Sequence, residues 1–172
     1  MPHITAYIGI GSNLGIPEEN CTKAIEKLSR TKDIKIISKS SFYHTEPIGG
    51  VQQGWFINSA IEIETGLSPE NLLSVLLNLE LAMGRTRKEK WGPRLIDLDL
   101  LLYGDLVLEK KDLTLPHPEI QNRKFVLIPM SVIAGNLIHP ILKKTFKTLL
   151  QESSDTTIVK KIKKNPNPSH QD

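Results

Sequence analysis

The chain has little cysteine: Cys21 is the only one in 172 residues. An internal disulfide is therefore excluded, zinc-type ligand spacing is absent, and a cytoplasmic setting is expected. No apolar run approaches the roughly 18 residues that a membrane span needs, so no membrane partner is expected. The start, Met1-Pro2-His3-Ile4-Thr5, lacks the basic stretch and apolar run of a secretory signal. There is no Gly-x-x-x-x-Gly-Lys-Ser/Thr element, which excludes P-loop chemistry. Excess charge is also missing from the body. Residues 156–172 hold four lysines against Asp172, leaving 18 basic and 18 acidic side chains in residues 1–155. Aromatics make up only 5% of the chain. An RNA-binding module of the RRM type needs a basic, aromatic-bearing stretch that is not here, so no nucleic-acid partner is expected.

What the chain does have is Trp91-Gly92-Pro93-Arg94-Leu95-Ile96-Asp97-Leu98-Asp99-Leu100-Leu101-Leu102-Tyr103. Two aspartates stand in a run that otherwise reads as a buried strand. Side chains alternate across a strand, so Asp97 and Asp99 share one face, with Leu98, Leu100 and Leu102 on the other. Paired carboxylates in an apolar strand are costly without a cation. Hard oxygen ligands of this kind suit Mg²⁺, which takes one or two carboxylates plus substrate phosphates. Upstream lie Arg85, Arg87, Lys88, Lys90 and Arg94. Acids for a metal beside clustered cations point to a polyphosphate substrate.

The length fits one domain, residues 1–151, followed by a basic tail over 152–172 that is expected to be flexible. A first strand covers Ala6–Gly11, and Pro17-Glu18-Glu19 opens a helix. Gly9-x-Gly11-x-x-x-Gly15 departs from dinucleotide-loop spacing and reads as tight-turn glycine. A strand runs from Ile34 to Tyr43, and a glycine-rich loop follows over 44–55. Phe56–Glu64 alternates as a strand. Ser68-Pro69-Glu70 caps a helix that ends at Gly84. Val107-Leu108 reads as a short hairpin partner. Phe125–Ala134 and Thr145–Gln151 read as helices, with Pro129 near the first turn of the former. The core order is strand, helix, strand, strand, helix, strand. That is the α+β, ferredoxin-like βαββαβ arrangement, with helices on one face of an antiparallel sheet and C-terminal additions.

Individual residues keep two readings each. Arg94 forms an ion pair with an aspartate or clamps a phosphate in bidentate fashion. Arg85 and Arg87 suit a solvated helix end or an anionic ligand. Trp91 anchors its loop or covers a flat ring. His117, between Pro116 and Pro118, is structural or reaches a phosphate together with Arg123. Phe56 and Phe125 are core residues, or, with Asn58, sandwich a heterocycle. A generic Asp-x-Asp nucleotidyl or glycosyl transferase remains a competing class.

Taken together, several stretches resemble the 6-hydroxymethyl-7,8-dihydropterin pyrophosphokinase family of folate biosynthesis. They are Gly9-Ile10-Gly11-Ser12-Asn13-Leu14-Gly15, Ser41-Phe42-Tyr43-His44-Thr45-Glu46-Pro47, Asn58-Ser59-Ala60, and Glu80 to Arg87. Gly92-Pro93-Arg94-Leu95-Ile96-Asp97-Leu98-Asp99, Leu115-Pro116-His117-Pro118 and Asn122-Arg123-Lys124-Phe125 complete the set. The resemblance implies ATP and 6-hydroxymethyl-7,8-dihydropterin as substrates, with AMP and the pterin diphosphate as products, and a monomer is expected. It implies that Asp97 and Asp99 hold two Mg²⁺ ions and that Arg87 and Arg94 act in catalysis and bind phosphate. Trp91 would lie in a closing loop. Glu80, Leu100 through its backbone, Thr114, His117 and Arg123 would contact the nucleotide. Thr45, Glu46 and Ile48 would offer the pterin a hydrogen-bonding edge with Asn58, between stacking Phe56 and Phe125. Three positions depart from the family pattern: Phe56, where tyrosine is often found, Leu77 and Asp112.

Overall fold

In a computed structural model of the protein, the described residues are 3–47, 54–84 and 95–163. Strand β1 (Ile4–Ser12) is followed by helix α1 (Pro17–Ser29), with proline at its start and Glu18 and Glu19 in its first turn. The helix buries Cys21, Ala24, Ile25 and Leu28, a spacing of three and four residues. Strands β2 (Ile34–Lys39), β3 (Tyr43–Thr45) and β4 (Phe56–Thr65) come next. Helix α2 (Pro69–Ala82) has the expected cap, the Ser68 side chain accepting from the Asn71 amide at 3.1 Å. Gly84 ends it at φ 92°, a conformation that favours glycine. Strand β5 (Asp97–Tyr103) carries the two aspartates.

All pairings are antiparallel, in the order β5-β1-β4, with β2 and β3 sharing the far edge of β4. This is the expected ferredoxin-like arrangement. The segment 34–43 is two strands rather than one. Ser40 donates its N–H to the Ala60 carbonyl, and its hydroxyl accepts the Ala60 N–H, so a side chain replaces a ladder partner there. One sheet face packs on α1 and α2 through Ala6, Ile8, Ile10, Ile61, Ile63, Leu72 and Leu76. The other packs on helices α3 (Lys124–Ala134) and α4 (Phe146–Glu152). Leu102 departs from the expected alternation. Opposite Tyr7 and Ile8 the register of β5 slips by one residue. That bulge sends both Leu101 and Leu102 into the α3 face, with Val126, Leu127 and Phe146.

Two smaller elements also differ from expectation. Leu108 opens β6 (Leu108–Glu109), which pairs with β7 (Thr114–Leu115) in a separate two-stranded sheet rather than returning on β5. Pro129 lies in the second turn of α3, so the Phe125 carbonyl lacks its helical donor.

The tail is the largest correction. Composition points to a loose end after Gln151, yet Val159–Lys161 forms strand β8 against β3, pairing Val159 with Thr45 and Lys161 with Tyr43. The Ile162 amide donates to the Phe42 carbonyl at 2.9 Å, and the Ile162 side chain packs against the core on the α1 and α2 side of the sheet. Edge pairing supplies backbone partners that composition does not reveal. Only residues 164–172 of the tail lie outside the described part. A chain ending at Ser154 is expected to lose about 2 kcal/mol and about 4–8 °C of thermal midpoint, from one lost cap and one lost apolar side chain. An unchanged midpoint on thermal unfolding would show that β8 adds nothing.

Candidate active site

Three neighbouring strands build the floor of the site. Asp97 pairs with Gly11, which pairs with Asn58; Asp99 pairs with Gly9, which pairs with Ala60. Phe56, Asn58, Ala60, Asp97 and Asp99 therefore share the sheet face that α3 covers farther along. Strands lie about 4.8 Å apart, so Asp97 and Asn58 stand roughly 10 Å apart across Gly11, while the Leu101 side chain covers Gly9, 3.5 Å from where its Cβ would be. Gly9 and Gly11 lie in the expected first strand, and the tight-turn reading of the Gly9-x-Gly11-x-x-x-Gly15 run holds for Gly15 alone, at φ 64°. A Cβ at Gly11 would come within 2.8 Å of Asn58 Oδ1, so glycine there keeps Asn58 in place.

The outer edge of β5 borders a cleft of about 350 Å³. Its lining includes Leu77 and Glu80 from α2, Asp97, Asp99 and Leu100 from β5, and Thr114 and His117 beyond. Glu80 is 3% exposed and its carboxylate accepts the Leu98 amide at 2.7 Å. That bond shows that the Leu98 backbone faces the open edge. Peptide directions repeat every second residue, so the Leu100 N–H and C=O face the same cleft. Two edges remain for a flat base there, one donor and one acceptor. Leu77, 42% exposed, adds apolar cover.

His117 is fixed by two bonds: its amide donates to the Leu101 carbonyl at 2.9 Å, and its Nδ1 accepts the Glu119 amide at 3.1 Å. With Nδ1 engaged, Nε2 carries the proton of the neutral ring and is the donor left for an anion. Burial, then the charge of Arg123, holds this imidazole below its ordinary pKa, while Glu119 and Asp97 oppose the shift. Arg123 precedes α3, and its guanidinium carbon lies 5.7 Å from the centre of the Phe125 ring. One arginine thus links the anionic side of the site to the aromatic side.

On the aromatic side, Phe56 pairs with Thr45 at the end of β3, and both Phe56 and Phe125 are half-buried. Asn58 donates from Nδ2 to the Thr45 hydroxyl at 2.9 Å. Its Oδ1 faces Gly11. Glu46 follows β3, its amide bonded to the Ile158 carbonyl at 3.0 Å.

The structure brings Asp97, Asp99, Glu80, Leu100, Thr114 and His117 to one cleft, with Arg123, Phe125, Phe56, Asn58, Thr45 and Glu46 beside or across the β1 glycines from it. Ile48, Arg87, Trp91 and Arg94 lie outside the described residues. Other contributors escaped the sequence reading. Lys111 and Leu73 line the cleft. Ser12 donates to the Leu95 carbonyl at 2.5 Å, and Asn13 Nδ2 donates to the Gly54 carbonyl at 3.1 Å. These two residues fasten the segment entering β5 and the segment entering β4 to the end of β1. Their clue was the polar pair ending an apolar strand, which reads equally as a turn.

Asp97 and Asp99 suit a divalent cation. Both are half-buried, share a face, and border a cleft with room for phosphates. No group of three or more acidic, histidine or cysteine ligands occurs among the described residues. A two-carboxylate set completed by substrate oxygens matches magnesium better than a closed structural site.

Residues 7–135 match the family model described as 7,8-dihydro-6-hydroxymethylpterin-pyrophosphokinase (HPPK). A 2-amino-4-hydroxy-6-hydroxymethyldihydropteridine pyrophosphokinase of Haemophilus influenzae is 39% identical over 157 residues, 91% of this chain and 98% of the relative. One of Methylorubrum extorquens is 42% identical over 133 residues, 77% of this chain and 84% of the relative. Among solved structures, the wild-type HPPK-DHPS of Plasmodium falciparum with pterin and p-hydroxybenzoate aligns with a TM-score of 0.69 at 16% identity. That alignment covers 87% of this chain but 43% of the longer one, and it speaks to the fold alone.

Proposed function

The chain belongs to the 7,8-dihydro-6-hydroxymethylpterin pyrophosphokinase family, a family of ATP-dependent diphosphokinases in folate biosynthesis, and we propose a role for each of its site residues on that premise. The substrates are ATP and 6-hydroxymethyl-7,8-dihydropterin; the products are AMP and the pterin diphosphate. The pterin hydroxymethyl oxygen bonds to the β-phosphorus. The bond from that phosphorus to the oxygen bridging it to the α-phosphorus breaks, and AMP leaves with that oxygen. The β,γ-pyrophosphoryl group moves intact, and the hydroxyl proton passes to water.

The observation that carries the assignment is the pair Asp97 and Asp99, at the meeting of the β5 cleft and the β1 glycines. Both would hold magnesium, two ions in all. Magnesium, when bound, neutralises the triphosphate oxygens and makes the β-phosphorus a better electrophile. The Leu100 backbone reads the adenine edge, while Leu77 covers its face. Glu80 holds the strand that presents both. Thr114, His117 through Nε2–H, and Arg123 bind the triphosphate. Arg87 and Arg94 meet charge that grows on it, and Trp91 closes over the substrates; these three are assigned from the sequence.

The pterin lies beside Gly11, between Phe56 and Phe125, with Asn58 and the Thr45–Glu46–Ile48 backbone on its edge. A pterin offers donors and acceptors without formal charge, which an amide and backbone groups match. The enzyme works as a monomer in the cytoplasm. No helix among the described residues is long and apolar enough to cross a membrane, and the lone Cys21 is buried, its thiol pushed up to about 12 by burial and then by the charge of Glu18.

Manganese binding, followed by electron paramagnetic resonance with a non-hydrolysable ATP analogue and the pterin, tests the metal assignment. Two ions per chain are expected, with at least one lost in Asp97→Ala. A stoichiometry unaffected by Asp97→Ala would place the ions elsewhere.

A further inference from the structure

The chain beyond α4 takes no part in these assignments, yet it touches both sides of the pterin slot. Asp155 Oδ2 accepts the amide of Lys124 at 2.8 Å. Lys124 opens α3, between Arg123 and Phe125, and the residue at the cap position, Arg123, supplies no side-chain cap of its own. The other oxygen, Oδ1, accepts the Thr157 amide at 2.9 Å and the Thr157 hydroxyl at 2.5 Å. The next residue, Ile158, donates its amide to Glu46 Oε1 at 2.8 Å and accepts the Glu46 amide at 3.0 Å. Val159 then pairs with Thr45. Residues 155–159 thus tie the start of α3 to the end of β3.

The charge of Asp155 suits this place. Burial pushes its carboxyl up, but bonds from Thr157 and the Lys124 amide, with the Lys124 charge, outweigh it and hold the group below the usual carboxylate range. It is ionised at neutral pH, at the positive end of the α3 dipole. The Arg123 carbonyl accepts the Val126 and Leu127 amides at 3.0 Å each, and Asp155 holds the Lys124 amide that precedes them. Pro129 removes the donor to the Phe125 carbonyl, and no acidic residue lies in that turn.

We propose that Asp155 is a positioning residue for pterin recognition: it fixes the start of α3 against the Thr45–Glu46 edge and so sets the place of Phe125. The inference rests on the reading of Phe125 and Thr45–Glu46 as walls of the pterin slot. Asp155 touches neither substrate. Its effect should fall more on pterin binding than on ATP: of the residues assigned to the nucleotide only Arg123 adjoins the Lys124 amide, while Leu100, Thr114 and His117 lie on or beyond β5, at the opposite edge of the sheet from β8.

The test compares three full-length variants by steady-state kinetics and thermal unfolding. Asp155→Ala is expected to raise the KM for the pterin roughly tenfold, the scale of a lost helix cap. The KM for ATP should change less than threefold, and kcat at saturating pterin should stay within about threefold (~0.65 kcal/mol). Asp155→Asn keeps an acceptor for the Lys124 amide and should recover most of the pterin KM. Ile162→Pro removes the Ile162–Phe42 bond at the far end of the same segment. It should lower the thermal midpoint while leaving the pterin KM close to wild type. An unchanged pterin KM in Asp155→Ala, equal rises for both substrates, or an equal rise in Ile162→Pro would overturn the proposal. Phe125→Ala separates the two levels. If it weakens pterin binding while Asp155→Ala does not, only the positioning role fails; if it leaves pterin binding unchanged, the slot itself is misplaced.

Discussion

Replacing Asp97 or Asp99 with alanine is expected to cut turnover roughly a thousandfold, about 4 kcal/mol of transition-state stabilisation. The thermal midpoint should fall by no more than a few degrees. The two carboxylates lie on the face of β5 opposite the leucines that pack on α2, so their removal leaves that packing intact. Both are half-buried, and neither belongs to an apolar cluster. Rate measurements at saturating ATP and pterin, with unfolding curves beside them, decide the matter. Near-normal turnover in both variants would remove them from the chemistry. Collapse of the fold in either would make the pair structural.

Phe125→Ala is expected to weaken pterin binding by about 2 kcal/mol, roughly thirtyfold, from lost stacking and lost apolar contact. ATP affinity should change less than about threefold, ~0.65 kcal/mol. Some nucleotide effect is expected because the Arg123 guanidinium stands over the Phe125 ring. Its loss removes one contact of the arginine that we assign to the triphosphate. Calorimetry with each ligand, in the presence and absence of the other, measures both affinities. A larger loss for ATP than for pterin would move Phe125 out of the aromatic slot.

The sequence made the strands and helices around the site legible because periodicity was strong where packing was strong. Phe56–Thr65 alternates along its length, and α2 carries a cap, an apolar stripe and a terminal glycine. The Asp97–Asp99 face was also readable, since two carboxylates two residues apart in a strand share a side. Leu102 was not, because a bulge opposite Tyr7 and Ile8 depends on the partner strand rather than on local pattern. The break at Ser40 has the same origin, a side chain replacing a ladder partner.

The β1 glycines and the tail show a second kind of gap. Gly9 and Gly11 read as strand residues, but nothing local says why glycine is needed there. Their purpose emerges only when Asp97, Asp99 and Asn58 stand beside them in register. The tail is lysine-rich and polar, the composition of a loose end. Its order comes from the open edge of β3 and from the amide of Lys124, donors and acceptors that no property of the tail predicts. Glu80 was expected near the nucleotide through family resemblance. Its bond to the Leu98 amide, which turns the β5 edge into a presenting surface, was not.

The most direct measurement is the product balance of a single incubation with ATP, magnesium and 6-hydroxymethyl-7,8-dihydropterin, read by phosphorus nuclear magnetic resonance. Direct attack at the β-phosphorus predicts equal amounts of AMP and pterin diphosphate, with no free pyrophosphate. Formation of ADP with a pterin monophosphate, or of AMP with free pyrophosphate and an unaltered pterin, would contradict it.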